Sequence, residues 1–244
     1  MEYLVFRLYG PLASWGEAAV GETRPSARYP TRSAIIGLLA AALGVRRSDQ
    51  NLQDELRDQV LVAIKQYTSG VLLKDYHTAQ VPGRGFKMRL GTRRDELSAP
   101  KPDLNTILSS REYRCEGYWV TAVQLRSDSR WSLEDLAGAL SRPVYQPYLG
   151  RKSCPLAAPM MPRIVQADGL REALDSKFPA MTRLRKREEE LRLGLSGNVS
   201  YSWEGEADDM QPQEARYPCD QPLHRMRWQF ATRPEFWLQD REES

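Results

Sequence analysis

The sequence predicts an α+β protein built on a ferredoxin-like, or RRM-like, domain, and three observations support this. Segments with strand and helix periodicity follow one another as β-α-β, then β-excursion-β, then α, with a last short strand at 162–168. The chain has 244 residues, of which 41% are hydrophobic and 27% charged, as expected for one or two globular domains. Its longest apolar segment, 33–45, is too short to span a bilayer, so no membrane partner is expected.

The first strand and the first helix have the clearest patterns. Residues 3–9 (YLVFRLY) alternate in the manner of a strand. The next regular segment begins after Thr31, a predicted N-cap, and ends at Gly44, which is suited to the left-handed position after a helix. Because this helix is apolar nearly all round, we expect it to be buried between the sheet and other parts of the chain.

The middle of the chain is predicted to form a short helix, two strands and an excursion. An amphipathic helix is expected around Leu56, followed by strands at 59–68 and from residue 70 onward. Residues 79–110 are rich in glycine, proline and basic residues and offer few positions for a core. We therefore predict that they leave the domain as a long β-hairpin.

The second half begins with a strong pattern and ends with a weak one. A strand is predicted at 111–126, and Ser132 with Asp135 forms a capping box that starts a helix. Beyond residue 168 the segments with strand character are short, which predicts a small β-rich C-terminal unit. We place the ferredoxin-like domain at 1–168 and a small C-terminal subdomain with a tail at 169–244.

Charge is segregated along the chain although the net charge is only +3. Basic residues occur without any acid at 23–47, 76–94 and 141–163, which we call the first, second and third basic runs. Residues 203–215 carry five acids and no base. Such segregation creates a local positive field that suits a polyanion. Unrelated solvated loops are the alternative, and composition alone slightly favours it.

Few features of the sequence suggest an enzyme. The three cysteines are far apart and only two histidines occur, so we expect a cytoplasmic protein without a metal or another cofactor. P-loop, Rossmann and nucleophile-elbow motifs are missing from the sequence. The most reactive cluster is Lys74, Tyr76 and His77 in LKDYHT, whose residue types can cleave RNA without a metal by acid–base catalysis. Its alternative role is to hold a loop or contact RNA at the end of a strand.

The first basic run predicts a phosphate-binding site where it meets the helix. Free N–H groups at a helix N-terminus bind anions, and hydroxyl and guanidinium groups add to this. The alternative is that at least one of these arginines pairs with an acid such as Glu17 or Glu22. The predicted ligands are Arg24, Arg28, Thr31, Arg32 and Ser33.

The third basic run places aromatic residues beside cations. In YQPYLGRKSCPLAAP, Tyr148 is suited to stack on a base, while Arg151 and Lys152 are suited to bind phosphates. This combination is common in proteins that bind single-stranded RNA. The alternative is a proline-rich structural loop that packs on the sheet.

Four blocks, TRPSARYPTRSAIIGLLAAALGV, LKDYHT, SREYRC and PYLGRKSCPLAAP, resemble the CasD family of the RAMP superfamily, subunits of the type I-E CRISPR complex Cascade. The resemblance implies a ferredoxin-like palm with a β-hairpin thumb at 79–110. It implies a non-catalytic subunit that holds the 5′ handle of the CRISPR RNA and caps the backbone of Cascade in antiviral defence. A related subtype uses its counterpart as the nuclease, so endoribonuclease cleavage of repeat RNA stays the alternative.

The partners implied by the resemblance are the CRISPR RNA, the adjacent backbone subunit and the large PAM-reading subunit, with target DNA met only indirectly. The three basic runs are expected to converge on one RNA, with the acidic segment left to face solvent or a basic partner. Stacking by Tyr148 or His77 is expected to supply base contacts. The residues expected to bind RNA are Arg24, Arg28, Thr31, Arg32, Ser33, Tyr76, His77, Arg84, Lys87, Arg89, Arg111, Tyr148, Arg151 and Lys152.

Overall fold

A mostly antiparallel sheet runs through the computed structural model, which describes residues 1–17, 19, 21–83, 91–183 and 186–241. The strands are β1 (Glu2–Ala13), β2 (Thr23–Arg24), β3 (Val60–Thr68), β4 (Val71–Pro82), β5 (Leu104–Leu125), β6 (Arg163–Gln166), β7 (Asn198–Trp203), β8 (Glu214–Arg216), β9 (Gln221–His224), β10 (Gln229–Ala231) and β11 (Glu235–Arg241). The α-helices are α1 (Arg32–Leu43), α2 (Gln50–Gln59), α3 (Arg93–Leu97), α4 (Leu133–Ser141), α5 (Leu170–Leu174) and α6 (Lys186–Leu193).

The first two thirds of the chain form the palm. Strands β1, β3, β5 and β6 with helices α1 and α4 follow the β-α-β-β-α-β order of a ferredoxin-like domain, with α2 added before β3. In the sheet their order is β6-β1-β5-β3, and each neighbouring pair is antiparallel. The predicted α+β class is confirmed. In the described part of the chain, no helix has the length and apolar character needed to cross a membrane.

Strand β1 is buried on both faces because layers cover the sheet on both sides. Leu4, Phe6 and Leu8 belong to a core that includes α1 and α4, whereas Tyr3 and Val5 belong to a second core with α5 and β7. Each of these side chains is at most 3% exposed. Burying an apolar side chain of this size stabilises a fold by about 1.5–3 kcal/mol. The predicted strand is therefore confirmed and longer than expected.

The helices begin and end where their sequences predict. Thr31 has the extended backbone of an N-cap, and Gly44 ends α1 with a φ of 79°. At α4, Ser132 Oγ accepts a hydrogen bond from the Asp135 N–H at 3.1 Å, and Asp135 Oδ2 accepts one from the Ser132 N–H at 2.9 Å. The helix predicted around Leu56 is α2.

A long hairpin leaves the palm, as predicted, but it begins earlier than expected. β4 pairs with the first half of β5 from Val71↔Cys115 to Pro82↔Leu104, and we call this hairpin the arm. At its base Gly70 has a φ of 69°, and a Cβ there would lie 2.0 Å from the carbonyl oxygen of Cys115. The predicted limits of 79–110 were wrong because the alternating pattern of the arm strands resembles that of a palm strand.

The C-terminal region is rich in strands, as predicted, and much of it continues the palm sheet. β7 pairs with β3, followed by β11 and β8, whereas β9 and β10 form a separate two-stranded hairpin. Helix α6 precedes β7 in this region. The sheet runs on past residue 168, so a domain boundary at that residue stays a prediction.

An ionic network joins the C-terminal region to the start of α1. Arg32 Nε lies 2.5 Å from Glu204 Oε1, and the Arg233 guanidinium lies 2.7 Å from both Asp220 Oδ1 and Glu235 Oε2. All five side chains are at most 9% exposed. Burial raises the pKa of Glu204, against the lowering effect of the Arg32 charge. The Arg32 and Arg233 charges therefore favour the ionised form of Glu204 against the effect of its burial.

Arg233→Ala is expected to lower the free energy of unfolding by about 3–5 kcal/mol, because it leaves buried carboxylates without their shared cation. Urea denaturation of the full chain measures this loss. Arg142→Ala, at an exposed position, is the control and should change stability by less than about 0.5 kcal/mol. Equal losses in the two variants would show that the network does not hold the C-terminal region in place.

Candidate nucleic-acid interface

A groove with a volume of about 1060 Å³ lies between α1, the loop at 145–151 and the β9–β10 hairpin, and we call it the α1 groove. Chain segments from both ends of the sequence meet there, since the first basic run, the third basic run and the C-terminal hairpin each contribute a wall. Its acidic lining residues are Glu17 and Asp220, and Asp220 is already bound in the ionic network. Its cationic lining residues are Arg24, Arg46, Arg47, Arg151 and Arg225.

Small residues of α1 form the floor of the groove. Ala34, Gly37 and Ala41 line it, so that other groups can approach the helix backbone closely. The Arg225 guanidinium uses this space. Its Nη2 donates a hydrogen bond to the Ser33 carbonyl at 2.7 Å, and a Cβ on Gly37 would lie 3.5 Å from the same atom. The floor therefore carries a fixed positive charge.

The groove arginines form no ion pair with a carboxylate among the described residues; Arg24 and Arg151 bind backbone carbonyls instead. Among the described residues, no carboxylate side chain forms an ion pair with Arg46, Arg47 or Arg225. Burial and, next, the nearby Arg47 charge lower the pKa of Arg225 to about 10. Cations that repel one another in a groove are stabilised when an anion binds between them. The electrostatics of the groove thus favour a polyanionic ligand.

The first basic run contributes three of its five predicted residues to the groove. Arg24 is exposed there, and the hydroxyls of Thr31 and Ser33 line it while lying 3.1 Å apart. Arg28 is exposed outside the groove lining, and its carbonyl accepts a hydrogen bond from the Trp119 indole at 3.1 Å. The Arg24 guanidinium contacts the carbonyls of its own loop rather than an acid.

The prediction that Arg32 binds RNA was wrong. Its side chain is 4% exposed, pairs with Glu204 and donates to the Val60 carbonyl at 2.8 Å. The predicted anion site at the helix N-terminus is also filled, because Asp220 Oδ2 accepts the Arg32 backbone N–H at 2.6 Å. Both partners lie far along the chain, where no local pattern connects them to residue 32. A carboxylate of the protein itself therefore occupies the position that we had assigned to a phosphate.

The third basic run meets the first one in the structure. Tyr148 lines the groove, and Arg151 Nη2 donates to the Arg24 carbonyl at 3.2 Å. The Arg151 guanidinium also lies 4.9 Å from the ring centroid of Tyr113. Lys152 is exposed outside the groove lining. Arg151 thus fixes the relative position of the two runs at the edge of the groove.

The alternating geometry of β4 separates the three residues of the candidate catalytic cluster. Lys74 lies 3.3 Å from Glu112 on one face of the arm, and Tyr76 is on that same face. His77 is on the opposite face, where its Nε2 lies 2.5 Å from Asp75 Oδ2. The predicted trio therefore does not converge on a single point.

The arm connects with the groove through its base. Arg111 is exposed, lies opposite Asp75 in the arm, and is also the register partner of Arg24 in the short parallel pairing of β2 with β5. Tyr76 and His77 lie further along the same strands. Three predicted RNA ligands of the second basic run, Arg84, Lys87 and Arg89, lie outside the described residues.

Most acids of the acidic segment are exposed to solvent, as expected, but two of its acids also stabilise the fold. Glu204 belongs to the ionic network. Asp209 accepts backbone hydrogen bonds at the start of α5, from Leu170 at 3.1 Å and from Arg171 at 2.7 Å. These two acids serve the fold, because one compensates a buried guanidinium and the other caps a helix.

Sequence reasoning missed several groove residues. Arg46 and Arg47 belong to the first basic run but follow the helix rather than precede it, and Tyr145 lies just ahead of the residues chosen from the third run. Arg225 and Trp228 are in RMRW, which has the pattern of a strand. The one feature of the sequence that could have indicated this part of the groove is the pair of arginines before Trp228 in RMRW.

Comparison with known proteins identifies the family. The family model described as "CRISPR-associated protein (Cas_Cas5)" matches residues 3–234. A relative from Escherichia coli (strain K12), "CRISPR system Cascade subunit CasD", is 35% identical over 172 residues, which cover 70% of this chain and 75% of the relative.

Two solved structures are similar to the whole chain. "CRISPR RNA-guided surveillance complex" has a TM-score of 0.66 at 26% identity, with 98% of this chain and 90% of that chain covered. "Crystal structure of Cas protein" has a TM-score of 0.55 at 24% identity, with 98% and 94% covered, and supports the fold alone. The chain therefore belongs to the Cas5 family of CRISPR-associated proteins.

Proposed function

We propose that this chain is a non-catalytic cytoplasmic subunit of a Cascade-type complex, that it binds the 5′ handle of the CRISPR RNA in the α1 groove, and that it caps the backbone of the complex. The α1 groove carries this proposal, because it unites two separate basic runs around arginines that lack carboxylate partners in the described chain. The names of the relative, a Cascade subunit, and of the similar structure, an RNA-guided complex, support the same function.

The groove residues suit single-stranded RNA better than a duplex. Arginines and hydroxyl groups bind phosphates, and exposed aromatic rings stack on unpaired bases. In our proposal Arg24, Arg225 and the hydroxyls of Thr31 and Ser33 bind the sugar-phosphate backbone, while Tyr148 contacts a base. Arg151 acts mainly by holding the groove wall, since it is half-buried against Tyr113.

The RNA is proposed to continue from the groove onto the arm. The pairing of Arg24 with Arg111 places an exposed cation at the junction. Tyr76 and His77 follow on the arm with exposed side chains and are suited to contact the next nucleotides. Arg84, Lys87 and Arg89 would extend this path, as the sequence predicts.

The arm strand does not support RNA cleavage. A general base and a general acid have to reach the same scissile phosphate, within hydrogen-bond distance of the atoms that they protonate or deprotonate. His77 is on the face opposite to Lys74 and Tyr76, and it is already bound to Asp75. A scaffold role, in which each side chain contacts a different nucleotide, needs no such convergence.

Arg225→Ala is expected to weaken binding of handle RNA by about tenfold, which corresponds to about 1.4 kcal/mol. The salt dependence of binding should become shallower by about 0.7 in the log–log slope, because one phosphate contact is lost. Fluorescence anisotropy over a range of salt concentrations measures both quantities. Arg142→Ala removes an equal charge outside the groove and should match the unmodified chain. Identical curves for all three proteins would contradict the proposed site.

Repeat RNA incubated with the purified chain in EDTA is expected to stay intact, because no acid–base pair converges on the arm. Denaturing electrophoresis of end-labelled RNA checks this. His77→Ala should be indistinguishable from the unmodified chain in this assay. A discrete product that disappears in the His77→Ala variant would establish the endoribonuclease alternative instead.

The outer surface of the arm is suited to a protein partner. Val71, Leu73 and Ile107 are on the same face of the hairpin and are 74%, 45% and 51% exposed. Val71 and Leu73 are neighbours on this face, and Ile107 lies further along it, opposite Ala79. Exposed apolar side chains on one face are typical of interaction surfaces. We assign the apolar side chains of this face to contact with the adjacent backbone subunit, beside the RNA that Arg111 and His77 are proposed to contact on the same face. The large PAM-reading subunit remains the other proposed protein partner.

Ile107→Asp is expected to weaken assembly with the backbone subunit at least about tenfold, because it places a charge in an apolar contact. Handle RNA binding by the isolated chain should fall by a similar small factor in this variant and in the control, because both add one negative charge to the arm. Thr106→Asp adds the same charge to the opposite face of the same strand and serves as the control. Size-exclusion chromatography of reconstituted complexes measures assembly, and equal behaviour of the two variants would exclude this face.

A further inference from the structure

The β9–β10 hairpin is anchored firmly beside the α1 groove. Gln50 of α2 donates to the Leu223 carbonyl at 3.0 Å, and Arg225 donates to the Ser33 carbonyl at 2.7 Å. Asp220, just before β9, binds the first N–H of α1. These contacts hold the hairpin at its base, through Asp220, and at the start of its turn at 225–228, through Arg225, and the turn lies beside the groove.

Trp228, the last residue of this turn, is presented to solvent at an energetic cost. Its side chain is 64% exposed, although tryptophan is among the residues that gain most from burial. Its backbone has a φ of 52°, in the left-handed region that a bulky residue rarely adopts. Strained residues of this kind cluster at ligand-binding positions. The turn therefore holds a large aromatic ring away from the core.

The surroundings of Trp228 are those of a nucleotide-binding site. The Arg47 guanidinium lies 5.1 Å from the ring centroid of Trp228, and the Phe230 ring lies 6.4 Å from it. All three side chains line the α1 groove, and no carboxylate in the described chain pairs with Arg47. An exposed ring next to a cation without a counterion can stack on a base while the cation binds the adjoining phosphate.

We infer that Trp228 stacks on an unpaired base of the guide RNA and that Arg47 binds a phosphate next to that base. This inference rests on the proposed function and adds a C-terminal contact to it. The ligand is one nucleotide of single-stranded RNA. Stacking tolerates any base, because every base has a π face, so Trp228 supplies affinity and position rather than sequence preference.

The test measures binding of fluorescein-labelled single-stranded RNA of handle sequence to the full chain. Trp228→Ala should lower affinity roughly five- to a hundredfold, the range found when an aromatic stacking partner is removed. Its salt slope should equal that of the unmodified chain, whereas Arg47→Ala should reduce the slope. Trp228→Phe should retain most of the affinity because it keeps an aromatic ring.

Trp228→Gly controls for folding. Glycine adopts a positive φ without strain, so this variant keeps the turn while it removes the ring. Its affinity should fall as far as that of Trp228→Ala, with thermal stability equal to or above that of the unmodified chain. An unchanged affinity in this stable variant would overturn the inference.

An abasic scan of the RNA locates the contact. One abasic position should weaken binding to the unmodified chain and leave binding to Trp228→Ala unchanged, because the stacked base is already lost there. If no position behaves in this way while Arg225→Ala still binds weakly, the inference fails and the proposed function stands. If Arg225→Ala also binds RNA normally, both the inference about Trp228 and the proposed RNA site in the α1 groove are wrong. If Trp228→Gly binds RNA normally but assembles poorly with the other subunits, Trp228 is a protein contact and the inference is wrong.

Discussion

The carboxylate of Asp220 is the contact on which the α1 groove depends. One of its oxygens accepts the first N–H of α1 at 2.6 Å, and the other lies 2.7 Å from Nε of Arg233. A segment close to the C-terminus is thereby joined to the start of a helix that begins at residue 32. The groove lies between α1 and the β9–β10 hairpin. Its width therefore depends on the hydrogen bond between Asp220 and the Arg32 N–H, two residues that are distant in sequence. Breaking a buried pair of this kind costs about 3–5 kcal/mol, because a charge is then left without its partner.

The arginines around α1 divide into two groups with different physical roles. Arg32 and Arg233 are buried and matched by carboxylates, so they contribute structure and almost no external field. Arg46, Arg47 and Arg225 line an open groove and have no carboxylate partner in the described chain. A chain with a net charge of only +3 can thus present a strongly positive surface. Three acids near this surface, Glu204, Asp220 and Glu235, are bound in the ionic network instead of facing the groove arginines.

Short sequence patterns predicted the helices and strands well, but they did not predict which residues pair across long distances in the sequence. The C-terminal end of α1 follows from Gly44, because that cap depends on a local left-handed backbone. At the other end Thr31 has the extended backbone of an N-cap, but its side chain makes no capping hydrogen bond, and the distant Asp220 accepts the first N–H. The partner of Arg32 is Glu204, and nothing within a short window of sequence indicates that pair. All three basic runs were predicted to converge on one RNA. The first and third runs meet at the contact of Arg151 with the Arg24 carbonyl, and their convergence on RNA stays a prediction. The contribution of RMRW was missed, because a groove wall built from a separate hairpin is a property of the tertiary fold.

The arm shows why a strand favours binding a polymer over catalysing a reaction. Successive side chains of a strand alternate between faces and advance by about 3.3 Å per residue. The polar groups of a strand are therefore distributed along its length rather than gathered at one point. Acid–base catalysis needs its groups to meet at one bond, and Tyr76 and His77 lie on opposite faces of the arm. An extended RNA has the complementary geometry, with one phosphate and one base at each step. The parallel pairing of Arg24 with Arg111 joins this line to the groove, so that a helix floor, a C-terminal hairpin and an arm can contact successive nucleotides of the same strand. A surface of this extent gains affinity from many modest contacts, and each of them can be weakened without losing the others.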